Sequence, residues 1–416
     1  MGGGCIELEA YGTLDPNLTG NPQFSYFKSV YRRHTNFSIE SIEQNWNVSL
    51  NLGKKVSCTL SKTGDLIKNV YIETKGAIHD NRVHNPGPSL IKKANIEIGG
   101  NIIDEFSGRY ISHYLSLKSG GGLTSQHIKP RKMISNGIGT SHLGGFKNET
   151  RIFFIDLPFW FTKHSSLALP IVALQNSNVT INVHVAAKEN GASWNKSAYD
   201  SIDYGKLYCD YIFLDVDEKK RFVQTEHEYL IEQVDEQISK VKASNNNTTY
   251  NNNVKINFNH PVKELMILFT GTAVDNESTI ASADIFSTLD GYLNPFESTI
   301  KLQLNGQDRF SERCLQYFSV KQVADYYGGM GYDSGDSSYF NDGICLYSFA
   351  LEPDKPQPSG TCNFSKIDDA RLITKLMKTV SVTSTTPSDF NMYIYARNYN
   401  ILRIHGGRGG LAYGKY

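Results

Sequence analysis

The sequence predicts an all-β protein built from two similar sandwich-like halves. Tyr and Phe are abundant, at 24 and 21 of 416 residues, and aromatic side chains favour pleated, half-buried surfaces. Apolar and polar residues alternate in short runs separated by Gly, Pro, Asn and Asp clusters, the pattern of sandwiches and barrels. Three kinds of segment also recur in the same order in each half, which indicates a duplicated β-domain.

From the N-terminus, MGGGCI resembles an N-myristoylation site, but Ile6 stands where Ser or Thr is expected. Further on, FKSVYRRHTNF (27–37) interleaves Lys28, Arg32, Arg33 and His34 with aromatics, as a nucleic-acid grip would. The same residues also suit a short helix, with Phe24, Phe27, Val30 and Tyr31 on one face. TNFSIE then opens the first strand, with Phe37 and Ile39 inward. The clearest strand is NVTINVHV, where Val179, Ile181, Val183 and Val185 share a face. Similar alternation marks Ile96/Ile98, Ile256/Phe258, Ile300/Leu302/Leu304, Val380/Val382 and MYIYA (392–396).

One helix is expected in mid-chain, over DEKKRFVQTEHEYLIEQV (217–234). The Asn-rich tract 243–253 reads as a surface loop, so the seam between the halves falls in this region. Across that seam GDLIKNVYIET (64–74) matches HPVKELMILFT (260–270). IEIGGNIIDEFSGRYIS (96–112) matches LQLNGQDRFSERCLQYFS (302–319). LPFWFTKHSSLALPIVAL (157–174) matches LYSFALEPDKPQPSGTCNF (346–364), each read as an aromatic strand, a polar turn and a Pro-containing segment.

Composition removes several functions. Lys+Arg and Asp+Glu are both 42, whereas proteins that condense nucleic acid carry a positive surplus for phosphate neutralisation. The six cysteines are far apart with no CxxC, which suits free thiols better than a disulfide scaffold or a metal finger. No signal peptide and no membrane-spanning apolar run is expected.

The enzyme motifs fail one by one. HEYLI (227–231) has Ile231 at the second histidine position of HExxH. GGLAYGK (409–415) ends in Tyr416, with no hydroxyl residue and no following helix. GIGTSH (137–142) lacks a strand–helix frame, and Asp333 and Asp336 do not have EF-hand spacing. No catalytic, cofactor-binding or metal residue is therefore expected.

Long blocks carry a resemblance. LTGNPQFSYFKSVYRRHTNFSIESIEQ (18–44), LALPIVALQ (167–175), DYIFLDVDEKKRF (210–222), HEYLIEQ (227–233) and LNGQDRF (304–310) look like the major capsid proteins of nucleocytoplasmic large DNA viruses. So do LYSFALEPDKPQPSGTCNFSKID (346–368) and YARNYNILRIHGGRGGLAY (395–413). The match is nearest to the phycodnavirus members that infect chlorella. It implies a double jelly roll, two eight-stranded antiparallel sandwiches in tandem, and a homotrimer of pseudo-hexagonal outline that tiles an icosahedral shell.

By that analogy residues 1–34 form a base segment with the short helix and 35–216 the first jelly roll. Residues 217–236 form a charged helical connector and 237–416 the second jelly roll. The resemblance also implies a place in the virion, synthesis in the host cytoplasm, minor capsid proteins and an internal membrane near the base, and no direct genome contact. Lys28, Arg32 and Arg33 become candidate assembly contacts. Asn276, a sequon in an outer loop, becomes the candidate glycosylation position. A minor capsid paralogue and a jelly-roll carbohydrate-binding protein are the alternatives.

Overall fold

The computed structural model describes residues 3–10, 12–78, 86–118, 150–187, 199–244, 249–271, 293–294, 296–327, 344–378 and 389–414. They fall into two units, Met1–Phe37 and Ser38–Tyr416. In the first unit, helices α1 (Gly3–Glu9) and α2 (Pro16–Thr19) are followed by turns and extended chain. Pro16 begins α2, where its missing N–H costs nothing. The helix expected around residues 24–31 does not form. An amphipathic segment that short needs a surface to pack on, and Phe27 is 99% exposed.

The second unit holds two mainly antiparallel sandwiches, in agreement with the expected fold; in the second, β17 (Ala370–Met377) and β9 (His227–Ser244) make a short parallel pairing that joins the layers. In the first, β1 (Phe37–Gln44), β8 (Tyr199–Leu214), β3 (Leu66–Ile78) and β6 (Thr150–Asp156) form one sheet in the order β1-β8-β3-β6. The facing sheet runs β2-β7-β4-β5, from β2 (Lys55–Thr59), β7 (Val179–Val185), β4 (Ile91–Ile98) and β5 (Asn101–Ser107). The alternation in β7 does what it predicts. Val179, Ile181, Val183 and Val185 are buried between the sheets with Val56, Ile96 and Cys58.

The second sandwich repeats this order. β9 (His227–Ser244), β18 (Asp389–His405), β11 (Pro261–Gly271) and β15 (Ile344–Ser348) run β9-β18-β11-β15. β10 (Asn252–Ile256), β17 (Ala370–Met377), β12 (Thr299–Leu304) and β13 (Gln307–Asp308) form the second layer. Short strands β14 (Arg313–Cys314), β16 (Cys362–Asn363) and β19 (Arg408–Leu411) extend β12, β11 and β18 respectively.

The duplication extends to single residues. Both β4–β5 and β12–β13 close through two residues of positive φ, Gly99–Gly100 and Asn305–Gly306. A primed hairpin turn requires that conformation, and Asn and Gly are the residues that adopt it. β3 bulges between Ile67 and Asn69, and β11 between Val262 and Glu264. Aligning the bulges superposes Tyr71/Tyr208 on Met266/Tyr395, and Asn69/Asp210 on Glu264/Arg397.

Four expectations need correction. The mid-chain helix spans only Val216–Gln224 (α4; α3 is Gly108–Lys118), and residues 227–236 belong to β9, not to a helical connector. Ile231, Glu232, Gln233 and Val234 are consecutively buried, because β9 is covered on both faces and so loses its two-residue period. Secondly, Phe37 and Ile39 point outward, 53% and 49% exposed, while Gln44 of the same strand is buried. Thirdly, LPFWF is not a strand: β6 ends at Asp156 and Trp160–Thr162 is a 3-10 turn that buries Trp160 and Phe161. Finally, part of the Asn-rich tract is structural. Asn252 starts β10, and its side-chain amide pairs with both backbone groups of Lys242, at 2.8 and 2.9 Å.

Candidate functional site

The sandwiches meet where α3 of the first lies on the outer face of β9-β18-β11-β15. Ser107 Oγ is 3.2 Å from the Tyr395 hydroxyl, and Tyr110 packs on the Tyr395 ring at 5.6 Å. Arg109 donates to Thr270 Oγ1 at 3.2 Å, with its guanidinium 3.9 Å from the centroid of Tyr393. Met266 and Leu268, on the outward side of β11, join the first sandwich's core instead of their own. The second sheet's outer face is thus interior within one chain.

At one edge of this seam lies a buried ion network. Glu232 on β9 accepts from Lys163 (2.5 Å), Arg397 (2.8 Å) and Lys263. Arg397 also donates to Glu264 at 2.5 Å, and the Tyr327 hydroxyl donates to Glu264 at 2.8 Å. Lys263 further donates to the Pro353 carbonyl at 2.6 Å, and the Arg397 guanidinium lies 4.9 Å from the Tyr114 ring. Burial pushes the Glu232 carboxyl up, but Lys163, Arg397 and Lys263 outweigh it and hold the group well below its usual range. Burial, reinforced by Arg397, lowers Lys263 to about 7 against the pull of Glu232. Buried pairs of this kind fix geometry, and losing one member strands the others. The network locks the angle between the two sandwiches.

Among the described residues, no helix covers the matching face of the first sandwich, on β1-β8-β3-β6. Tyr71 and Tyr208 stack at 5.4 Å, Phe154 lies 6.3 Å from Tyr71, and Ile39 and Ile152 are exposed beside them. Lys206 pairs with Glu43 at 2.9 Å, and the Tyr204 hydroxyl donates to Glu73 at 2.9 Å. Asp156 sits beside Asp210. Burial, with that second carboxylate, raises Asp156 to about 6.

Lys28, Arg32 and Arg33 lie exposed in the extended part of the N-terminal unit. Their neighbours Phe24, Tyr26, Phe27, Val30 and Tyr31 are exposed too. Asn276, Asp333, Asp336 and GIGTSH lie outside the described residues. His227, from HEYLI, bonds the Phe222 carbonyl at 2.8 Å, and no group of three or more His, Cys, Asp or Glu suited to a metal occurs among the described residues. Glu232, Lys263, Glu264 and Arg397 were not singled out by motif. The available signal was charge inside strand cores, in VKELMILF and MYIYARNYN.

Comparison with known proteins gives matches in both halves. Residues 25–215 match the family model for the major capsid protein N-terminus, and 218–410 that for large eukaryotic DNA virus major capsid protein. The chain is similar to the major capsid protein of Pyramimonas orientalis virus, 38% identical over 99% of this chain and 100% of the relative. Similarity to that of Paramecium bursaria Chlorella virus 1 is 36%, over 99% and 100%. Among solved structures, a chain of the quasi-atomic model of the PBCV-1 virus capsid aligns with TM-score 0.78 at 33% identity, covering 94% of this chain and all of that one. The Faustovirus major capsid protein shares the fold at TM-score 0.67 and 13% identity, over 96% of each chain.

Proposed function

We propose, for a chain that belongs to the large eukaryotic DNA virus major capsid proteins, that its working form is a homotrimeric capsomer of pseudo-hexagonal outline. Its role is structural and its place is the capsid of the virion. The observation that carries the trimer is the tandem repeat of one sandwich with one strand order, locked at a fixed angle by buried contacts. A duplicated module held at one angle adds neighbours by repeating that angle, and a rotation that closes produces a ring. Assembly, and not catalysis, is the activity this arrangement supports.

The N-terminal arm supplies a second contact. Its exposed apolar residues and Lys28, Arg32 and Arg33 suit a base that meets neighbouring subunits, minor capsid proteins and an internal membrane. Synthesis in the host cytoplasm and glycosylation at Asn276 complete this reading. Two measurements test it. The native mass of purified protein, by sedimentation or mass spectrometry, is expected at three chains, and a monomer at working concentration overturns the capsomer. Charge reversal at Arg32 and Arg33 is expected to impair shell assembly while leaving DNA affinity unchanged; a loss of DNA binding would return the arm to a nucleic-acid role.

A further inference from the structure

We propose that the hairpin β18–β19 is a clasp between the two sandwiches on which capsomer formation depends, with Gly409 and Asn176 as positioning residues for assembly. The inference rests on the capsomer reading and names the residues that hold one chain in the shape that assembles.

The two halves differ at one place in their shared pattern. In the first sandwich β8 passes into α4, which folds back on its own sandwich. Lys219 pairs there with Asp65 at 2.7 Å, and Phe222 packs with Leu66, Ala168 and Ile212. In the second sandwich the equivalent strand, β18, turns at Gly406–Gly407 into β19 and meets the first sandwich instead. Leu402 and Ile404 are buried in the first sandwich's core with Ile98 and Leu174, and Leu411 packs against the same cluster. The Asn176 N–H donates to the Gly407 carbonyl at 2.8 Å, and its side-chain amide donates to the Gly406 carbonyl at 3.0 Å. The first sandwich is complete without such a hairpin, so the contacts of β19 serve the pair and not the sandwich that carries it.

Its position gives the hairpin leverage. β18 runs along the seam: Tyr393 and Tyr395 meet Arg109 and Tyr110, Arg397 joins the ion network, and the hairpin grips beyond them. Two domains held over part of their boundary can still rock, and a grip at the end of the seam removes that freedom. A ring closes only if every copy repeats one rotation. Only the fraction of chains holding the right angle is then competent to associate, and the apparent affinity falls with that fraction. The grip has little room. A Cβ on Gly409 would lie 2.8 Å from Leu174 Cδ2 and 3.0 Å from Ile98 Cγ2, and both of those residues are fully buried. The glycine of GGLAYGK that imitates a phosphate loop thus has a packing cause: it lets β19 approach the first sandwich.

Substitutions in the full chain test the clasp. Gly409→Val is expected to weaken association at least about tenfold, read as native mass against concentration. Adding Leu174→Ala moves bulk from one side of the contact to the other at nearly constant volume, and the double variant is expected to recover the three-chain mass. Asn176→Ala adds no bulk. It is expected to speed amide exchange over residues 400–412, measured by mass spectrometry, and to weaken association by less than Gly409→Val. Thermal unfolding of each variant separates release of the clasp from loss of the sandwiches. A Gly409→Val chain that keeps its three-chain mass on dilution as the parent does, or loses it without rescue by Leu174→Ala, overturns the clasp and leaves the capsomer intact. Unchanged exchange in Asn176→Ala overturns it too. A monomeric parent chain instead overturns the capsomer reading.

Discussion

The outer faces of β1-β8-β3-β6 and β9-β18-β11-β15 share one strand order and one bulge position but meet different environments. The second face is buried within the chain and is apolar and ionic, with Met266, Leu268 and the Glu232–Arg397–Glu264 cluster. The first remains a mixed ladder of Tyr71, Tyr208, Lys206 and Glu43 with Ile39 and Ile152 exposed. Its side chains are neither those of a solvated face nor those of a core. The difference separates a face covered within the chain from one that keeps apolar side chains exposed.

The largest way to break the comparison is at the buried network. Glu232→Ala strands Lys163, Lys263 and Arg397 together, so a loss of roughly 3–5 kcal/mol in denaturant unfolding is expected. A loss under about 1 kcal/mol would mean that the network contributes little to holding the seam. The paired substitutions Tyr395→Ala and Tyr208→Ala probe the two faces directly. Tyr395 is buried and should cost roughly 3–5 kcal/mol in the isolated chain, while half-buried Tyr208 should cost about 1 kcal/mol. Equal losses would erase the distinction.

Lys263 adds a pH handle on the covered face alone. Its folded pKa, about 7, lies below the ordinary lysine value of 10.5, so between them the unfolded chain binds a proton that the folded chain has released. Stability therefore rises with pH across that window. Lys263→Met should lower the slope by up to about one proton in denaturation titrated from pH 7 to 10, and an unchanged slope would assign the effect elsewhere. The smallest effect belongs to Asp156 on the open face. Its carboxyl is raised to about 6 from 3.8, so the folded chain binds the extra proton and stability falls as pH rises between those values. Asp156→Asn should stabilise the isolated chain slightly at pH 7 and leave it unchanged at pH 3. Unfolding curves at both pH values decide this.

Much of the architecture was legible because the duplicate segments retain their turns and strand alternation. GDLIKNVYIET and HPVKELMILFT announced the equivalent strands β3 and β11, and IEIGG and LQLNG the two hairpins. What stayed hidden has one cause. A strand covered on both faces, such as β9 through Ile231–Val234, loses its two-residue period and imitates a buried helix. Phe37 and Ile39 misled in the opposite sense, because an apolar residue normally marks the interior. The buried network was hidden because its members lie far apart in sequence, at 163, 232, 263–264 and 397.

The short connector from Asp215 to Glu226, with α4 at its centre, also has a kinetic meaning. It tethers two sandwiches that would otherwise have to find each other by diffusion, which raises their mutual effective concentration to the order of millimolar. In the proposed capsomer the junction inside each chain is therefore closed before any two chains collide, and dilution acts only on the junctions between chains.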